Sequence, residues 1–133
     1  MMEKTFIMIK PDGVKKRIMG EIISRIERKG YDITRMEIRR ISRELAEKHY
    51  QEHRGKPFYD SLIQHIISGP SMLMVVEGEG AVCALDKMVG STDPNRAQPG
   101  TIRFDYASTV TQNVIHRSDS RESAEREIKL FFK

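Results

Sequence analysis

Apolar residues recur along the chain in two rhythms, and their alternation predicts an α/β fold. Thr5, Phe6, Ile7, Met8 and Ile9 form a short apolar run ended by Lys10, Pro11, Asp12 and Gly13, the pattern of a central strand entering a turn with a lysine at its mouth. Ile18 or Met19, Ile22, Ile23 and Ile26 then recur at helical spacing, with Gly30 placed as a C-terminal stop. Ile33, Met36 and Ile38 alternate with Arg35, Glu37 and Arg39, which predicts a strand over 33–41 with one buried and one wet face. Ser42 caps a helix running to about Arg54, with Leu45, Ala46 and Tyr50 on its apolar side. Gly55, Lys56 and Pro57 break it, and Phe58, Leu62, Ile63 and Ile66 start a second helix, so the two form a hairpin. Ser68, Gly69 and Pro70 close that hairpin before a second apolar run over 72–76, with a turn over 77–80. Val82, Leu85, Met88 and Val89 mark a further helix ended by Gly90. Residues 91–111 are long, polar and carry Pro94, Pro99 and Gly100; a loop of that length in a compact domain is functional or disordered. Val114 and Ile115 give a last strand, and Ala124, Ile128 and Phe131 line one face of a final helix over about 120–131.

This order is the split β-α-β pattern of a ferredoxin-like α/β sandwich: a four-stranded antiparallel sheet with an inserted helical hairpin, a long loop and a C-terminal helix. Residues 1–133 read as one domain, long enough to bury a core without disulfides. The single cysteine, Cys83, excludes an internal disulfide framework and points to a reducing, cytoplasmic setting; its apolar neighbours place it in the core. No stretch approaches a membrane span, and the N-terminus lacks the apolar segment of a signal peptide. Lys and Arg number 23 against 19 Asp and Glu, and the excess lies in residues 1–66, with 15 basic and 10 acidic groups. That imbalance invites a phosphate or polyanion ligand, although solvated helix faces account for it equally well.

The chemistry centres on Asn113, Val114, Ile115, His116, Arg117, Ser118, Asp119 and Ser120. Here a strand end runs into a histidine and then into three N-cap residue types, with Glu122 completing a capping-box pattern from Asp119. A histidine at such a junction sits near free backbone N–H groups and suits chemistry on anions. Three readings compete. Phosphoryl transfer draws on Lys10, Thr92, Arg103 and Asn113 as donors and on His116 as nucleophile, one ring nitrogen carrying a free lone pair while Glu122, Glu125 or Glu127 takes the other. A zinc site draws on His49 and His53 in an H-x-x-E-H pattern with Glu52, but no third ligand is identifiable. A nucleic-acid module draws on Arg35, Arg39, Arg40 and Arg43, without the paired aromatics of an RNP1 motif. Neither G-x-x-x-x-G-K-[ST] nor G-x-G-x-x-G is present, so a nucleotide site must be built from side chains and the long loop.

Read together, the run from Phe6 to the K-P-D-G of Lys10, Pro11, Asp12 and Gly13, then His49 with Tyr50, Lys56 with Pro57 and Phe58, and Ser68 with Gly69 and Pro70, resemble nucleoside diphosphate kinase. So do the blocks beginning at Gly90, at Pro99 and at Asn113, the last reading N-x-x-H-x-S-D-S through Ser120. The resemblance runs from about Lys4 to Phe132. It implies a ping-pong enzyme in which a nucleoside triphosphate such as ATP gives its γ-phosphoryl group to His116 and a nucleoside diphosphate takes it. It also implies that Lys10, Thr92, Arg103 and Asn113 hold phosphates and ribose, that Phe58 stacks on the base and Tyr50 supports the site. Glu127 orients the histidine, with Ser118 beside it. Magnesium is expected to arrive with the nucleotide, with no direct protein ligand and Asp119 reaching it through water. The implied assembly is a homo-oligomer, a hexamer or a tetramer, and nucleic acid is not expected as the main ligand. The alternative is a non-catalytic nucleotide- or nucleic-acid-binding homologue. Three positions depart from the pattern: Asp86 stands where the family has a phosphate-contacting arginine, Phe104 follows Arg103 in place of glycine, and Arg117 follows His116 in place of a small residue. The reversed charge at Asp86 weakens phosphate binding unless Lys87 swings in.

Overall fold

The computed structural model describes residues 1–132. In chain order its elements are β1 (Met2–Ile9), α1 (Pro11–Lys15), α2 (Met19–Arg28), β2 (Asp32–Arg40), α3 (Arg43–His49), α4 (Tyr59–Ile67), β3 (Pro70–Glu79), α5 (Ala81–Val89), α6 (Ile102–Tyr106), β4 (Ile115–Arg117) and α7 (Arg121–Phe131). Short 3₁₀ turns lie at Gln51–His53 and Pro94–Arg96. The four strands form one antiparallel sheet, as the ferredoxin-like reading predicts, and their order is β2-β3-β1-β4.

β1 over residues 6–9 and β3 over residues 72–76 are continuously apolar because helices cover both faces of the sheet at its centre. Ile7, Ile9, Met74 and Val76 face α2 and α5 in one core, together with Ile22, Ile26, Leu85 and Val89. Phe6, Met8, Leu73 and Val75 face the hairpin and α7 in the other, against Ala46, Ile63, Ile66 and Phe131. Successive residues of a strand point to opposite faces. In the pairing of β4 with β1, His116 lies opposite Met8 and Arg117 opposite Ile7. His116 therefore shares the face of α7 and the hairpin, while Arg117 shares the face of α5.

Several local expectations change. The turn after β1 is a short helix, with Pro11 in its first turn, where a missing N–H is tolerated. The hairpin's first helix stops at His49 rather than near Arg54, its Ser42 cap accepting from the Leu45 N–H at 3.1 Å as expected. The turn expected over 77–80 is mostly strand, since β3 runs on to Glu79, and the long loop contains α6. α7 is capped by Ser120, whose Oγ accepts from the Ser123 N–H at 3.0 Å, leaving Ser118 for another task. Cys83 is exposed, not part of the core.

The largest difference is in β2. Met36 and Ile38 are each 54% exposed, because β2 is the sheet edge and the helical layer does not reach over its far half. Two arginines read as its wet face are engaged instead. Arg39 donates to the Phe131 carbonyl, and Arg35 donates to that of Phe132 at 3.4 Å with its guanidinium 4.5 Å from the Phe132 ring. Cations at the end of α7 complement its exposed carbonyls.

Candidate active site

Two chain segments far apart in sequence meet at the mouth of β1. The Lys10 N–H donates to the Val114 carbonyl at 2.8 Å, and Asp12 Oδ2 accepts from the Val114 N–H at 3.0 Å. Val114 has φ 62°, a left-handed conformation that a β-branched residue adopts only under constraint from both sides. Asp12 is in turn held by His65, 2.8 Å from its Oδ1, and the His65 and Val114 contacts outweigh burial to keep its carboxyl below the usual range. Gly13 has no room for a side chain: a Cβ would lie 2.7 Å from Ile9 Cγ2 and 2.8 Å from the Val114 carbonyl oxygen. These contacts seat residues 113–116 against the end of β1.

His116 sits in a hydrogen-bonded chain. Its Nε2 is 2.8 Å from Glu127 Oε1, and Ser118 Oγ donates to the same oxygen at 2.7 Å. Ser118 is itself fixed to β1, donating its N–H to the Phe6 carbonyl at 3.1 Å and accepting the Phe6 N–H on Oγ at 3.3 Å. Burial pushes the Glu127 carboxyl up, but the His116 and Ser118 bonds outweigh it and keep it ionised. An ionised carboxylate only accepts, so Nε2 carries the proton and Nδ1 keeps the lone pair. Burial, aided by Lys10 and Arg117, lowers the His116 pKa against the opposing pull of Glu127, so the ring is neutral at pH 7.

The ring opens on a cavity of about 350 Å³ that is also lined by Lys10, Tyr50, Phe58, Thr92, Arg103, Asn113, Arg117, Asp119 and Glu127. Lys10 Nζ donates to Asn113 Oδ1 at 2.9 Å, and Asn113 Nδ2 donates to the Thr92 carbonyl at 3.2 Å, which ties β1, the long loop and the approach to β4 together. Burial, with Arg103 nearby, lowers Lys10 from 10.5 to about 8. Arg103 on α6 donates to the carbonyls of Asn113, Gly90 and Ile115 at 3.4, 3.1 and 2.6 Å, and burial, reinforced by Arg117, lowers its pKa to about 10. Phe58 is partly exposed at the cavity mouth with its ring centroid 5.4 Å from that of His53. Tyr50 is buried, 4.6 Å from His49 between ring centroids.

Every residue that the resemblance assigns to the site except Ser118 and Asp86 lines this cavity; Ser118 stands behind it, through Glu127, and Asp86 touches it through Arg117, while Glu122 and Glu125, the other carboxylates considered for His116, do not line it. Lys87 lies elsewhere, beside Lys29 and Tyr31. The H-x-x-E-H geometry does not form, because α3 ends at His49 and the helical register that pairs residues four apart is broken. His49 is nonetheless part of the site. Its ring packs edge-on against His116 at 4.7 Å, and burial holds it neutral. Neither of its nitrogens has a hydrogen-bond partner among the described residues. Asp12 and His65 were not legible as site residues; only the position of Asp12 immediately beyond the strand mouth hinted at a structural task.

The family model described as nucleoside diphosphate kinase matches residues 3–133. The chain belongs to the nucleoside diphosphate kinase family. A nucleoside diphosphate kinase of Methanocaldococcus jannaschii is 55% identical over 133 residues, covering all of this chain and 95% of that one. A nucleoside diphosphate kinase of Staphylococcus epidermidis is 57% identical over 131 residues, 98% of this chain and 88% of the relative. Among solved structures, the halophilic nucleoside diphosphate kinase of Halobacterium salinarum in complex with CDP superposes with a TM-score of 0.96 at 46% identity, covering 98% of this chain and 88% of that one. The chain is thus a nucleoside diphosphate kinase by family, an enzyme that transfers phosphate between nucleotides.

Proposed function

We propose that the enzyme takes the γ-phosphoryl group of a nucleoside triphosphate onto Nδ1 of His116 and hands it to a nucleoside diphosphate in a second half-reaction. The observation that carries this reading is the chain from Ser118 through Glu127 to His116 Nε2, which leaves the Nδ1 lone pair available on a ring that lines the cavity. In the first half-reaction the Nδ1 lone pair forms the N–P bond. The bond from the γ-phosphorus to the bridging oxygen breaks, and its electrons leave with the nucleoside diphosphate. Glu127 stabilises the positive charge that builds on the imidazole, and Lys10 and Arg103 meet the negative charge on the phosphoryl oxygens. The second half-reaction reverses these steps with a different diphosphate.

Asn113 and Thr92 serve the ribose and phosphates, Phe58 offers a flat apolar surface to the base, and Tyr50 packs behind the site. Stacking without base-edge hydrogen bonds accepts several bases. A divalent ion fits this site as a guest of the nucleotide: the clustered His49, His116 and Glu127 are nitrogen-rich, with His116 bonded to Glu127, whereas magnesium prefers oxygen, which Asp119 presents at the cavity wall. Magnesium so held would neutralise phosphate charge, with Asp119 contributing through water. We also read residues 1–133 as one kinase domain, cytoplasmic, that assembles as a hexamer rather than a tetramer. Exposed Met36 and Ile38 on the edge strand support assembly, and sedimentation measures its order. No described helix is long and apolar enough to cross a membrane.

The test is direct. Incubation with γ-labelled ATP gives an acid-labile phosphoprotein, and ATP with GDP gives GTP. His116→Ala abolishes both while leaving the fold intact, and retained exchange in that variant overturns the mechanism.

A further inference from the structure

Asp86 and Arg117, each unexpected alone, are partners. Arg117 Nε donates to Asp86 Oδ1 at 2.6 Å, a bond that runs from β4 to α5 on the sheet face opposite His116. Because β4 is the edge strand, the arginine still reaches the cavity that His116 lines. The other cations there are each partly engaged. Lys10 bonds Asn113, Arg103 uses three of its five N–H donors on carbonyls, and Arg126 lies 3.5 Å from the Glu127 carboxylate. Arg117 gives Asp86 only its Nε–H. Its two terminal nitrogens have no hydrogen-bond partner among the described residues, and together they form the planar fork that matches phosphate oxygens.

We infer that Arg117, held in place by Asp86, binds the terminal phosphates of the nucleoside di- or triphosphate beside His116. This rests on the His116 reading above and adds to it a guanidinium supplied from the nucleophile's own strand. Asp86 sets the direction of the fork by occupying Nε, so that the remaining edge is free to face a ligand. Since the Asp86 side chain is 47% exposed, the pair adds little to stability, and the fold tolerates its loss.

The experiment compares the parent with Arg117→Met and Arg117→Lys, in their native assembly. The affinity for ADP is measured by calorimetry, and the rate of labelling by γ-labelled ATP at subsaturating concentration. For Arg117→Met both fall about tenfold to hundredfold, the loss of charge-assisted hydrogen bonds to phosphate, while the melting temperature is unchanged. Arg117→Lys, which keeps the charge and loses the fork, falls between the two. ADP affinity of both variants within about twofold of the parent overturns the inference and leaves Arg117 as a strap between β4 and α5. A parent that takes no label at all removes the His116 reading instead, and the ADP affinities still decide the role of Arg117.

Discussion

Replacing Lys10 by methionine should make the protein more stable and less active. Lys10 is 4% exposed, and burial with Arg103 lowers its pKa from 10.5 to about 8. At pH 7 the folded lysine carries its proton in surroundings that disfavour it by roughly 3 kcal/mol, at about 1.4 kcal/mol per tenfold change in proton affinity. Methionine keeps most of the volume without the charge. It leaves Asn113 Oδ1 without its 2.9 Å donor, a loss of about 1 kcal/mol. The net is a gain of about 2 kcal/mol at pH 7. The gain has a pH window whose sign is fixed by the lowered pKa. From about pH 8 to 10.5 the unfolded lysine holds a proton that the folded one has released, so the parent gains stability with rising pH and the variant does not. Urea unfolding at one fixed protein concentration, at pH 7 and again near pH 10, measures both quantities. A variant less stable than the parent at pH 7, or a difference between the two proteins that is the same at both pH values, refutes the reasoning.

The same shifts shape turnover. The pH profile of kcat/KM for ATP should be bell-shaped, its acid limb lying below 6.5 where His116 gains a proton and its alkaline limb near 8 where Lys10 loses one; a plateau continuing to pH 10 excludes Lys10 as the charge that matters. Glu127→Gln should slow phosphoenzyme formation by about tenfold to a hundredfold, because an amide no longer offsets the charge forming on His116; unchanged single-turnover rates sink that role. Gly13→Ala should destabilise by about 1–3 kcal/mol, as the added Cβ forces Ile9 and the Val114 carbonyl apart; an unshifted thermal midpoint shows that the contact relaxes freely.

The sequence carried the centre of the sheet clearly, because β1 and β3 are covered on both faces and an uninterrupted apolar run has no other good home. It carried helix starts where a serine stood alone, as at Ser42, and blurred where Ser118, Asp119 and Ser120 competed. Ser118 lost that competition because its hydroxyl is needed at Glu127 and its backbone at Phe6. β2 is legible as a strand but not in its burial, because alternation reports pleating, not cover: its apolar residues face the side where α2 packs, past the reach of the helix. At the site, residue identities were legible and pairings were not. His49 drew notice through a zinc motif and belongs beside His116 instead. Asp86 and Arg117 looked like two separate defects, since residues 31 positions apart give no local sign that they meet, although their opposite charges were on view.

The joint at Val114 also governs when in the life of the chain function can begin. Lys10 bonds Asn113 across 103 positions, and Phe6 bonds Ser118 across 112. β1 leaves the ribosome before either of its sheet neighbours, β3 and then β4. Such long-range closure is slow relative to local helix formation. Until it occurs, the most apolar strand of the molecule has bare edges open to aggregation. A nascent chain lacking β4 and α7 has neither nucleophile nor orienting carboxylate, so phosphate exchange reports on completed folding, and the first strand is the segment that most needs shelter during synthesis.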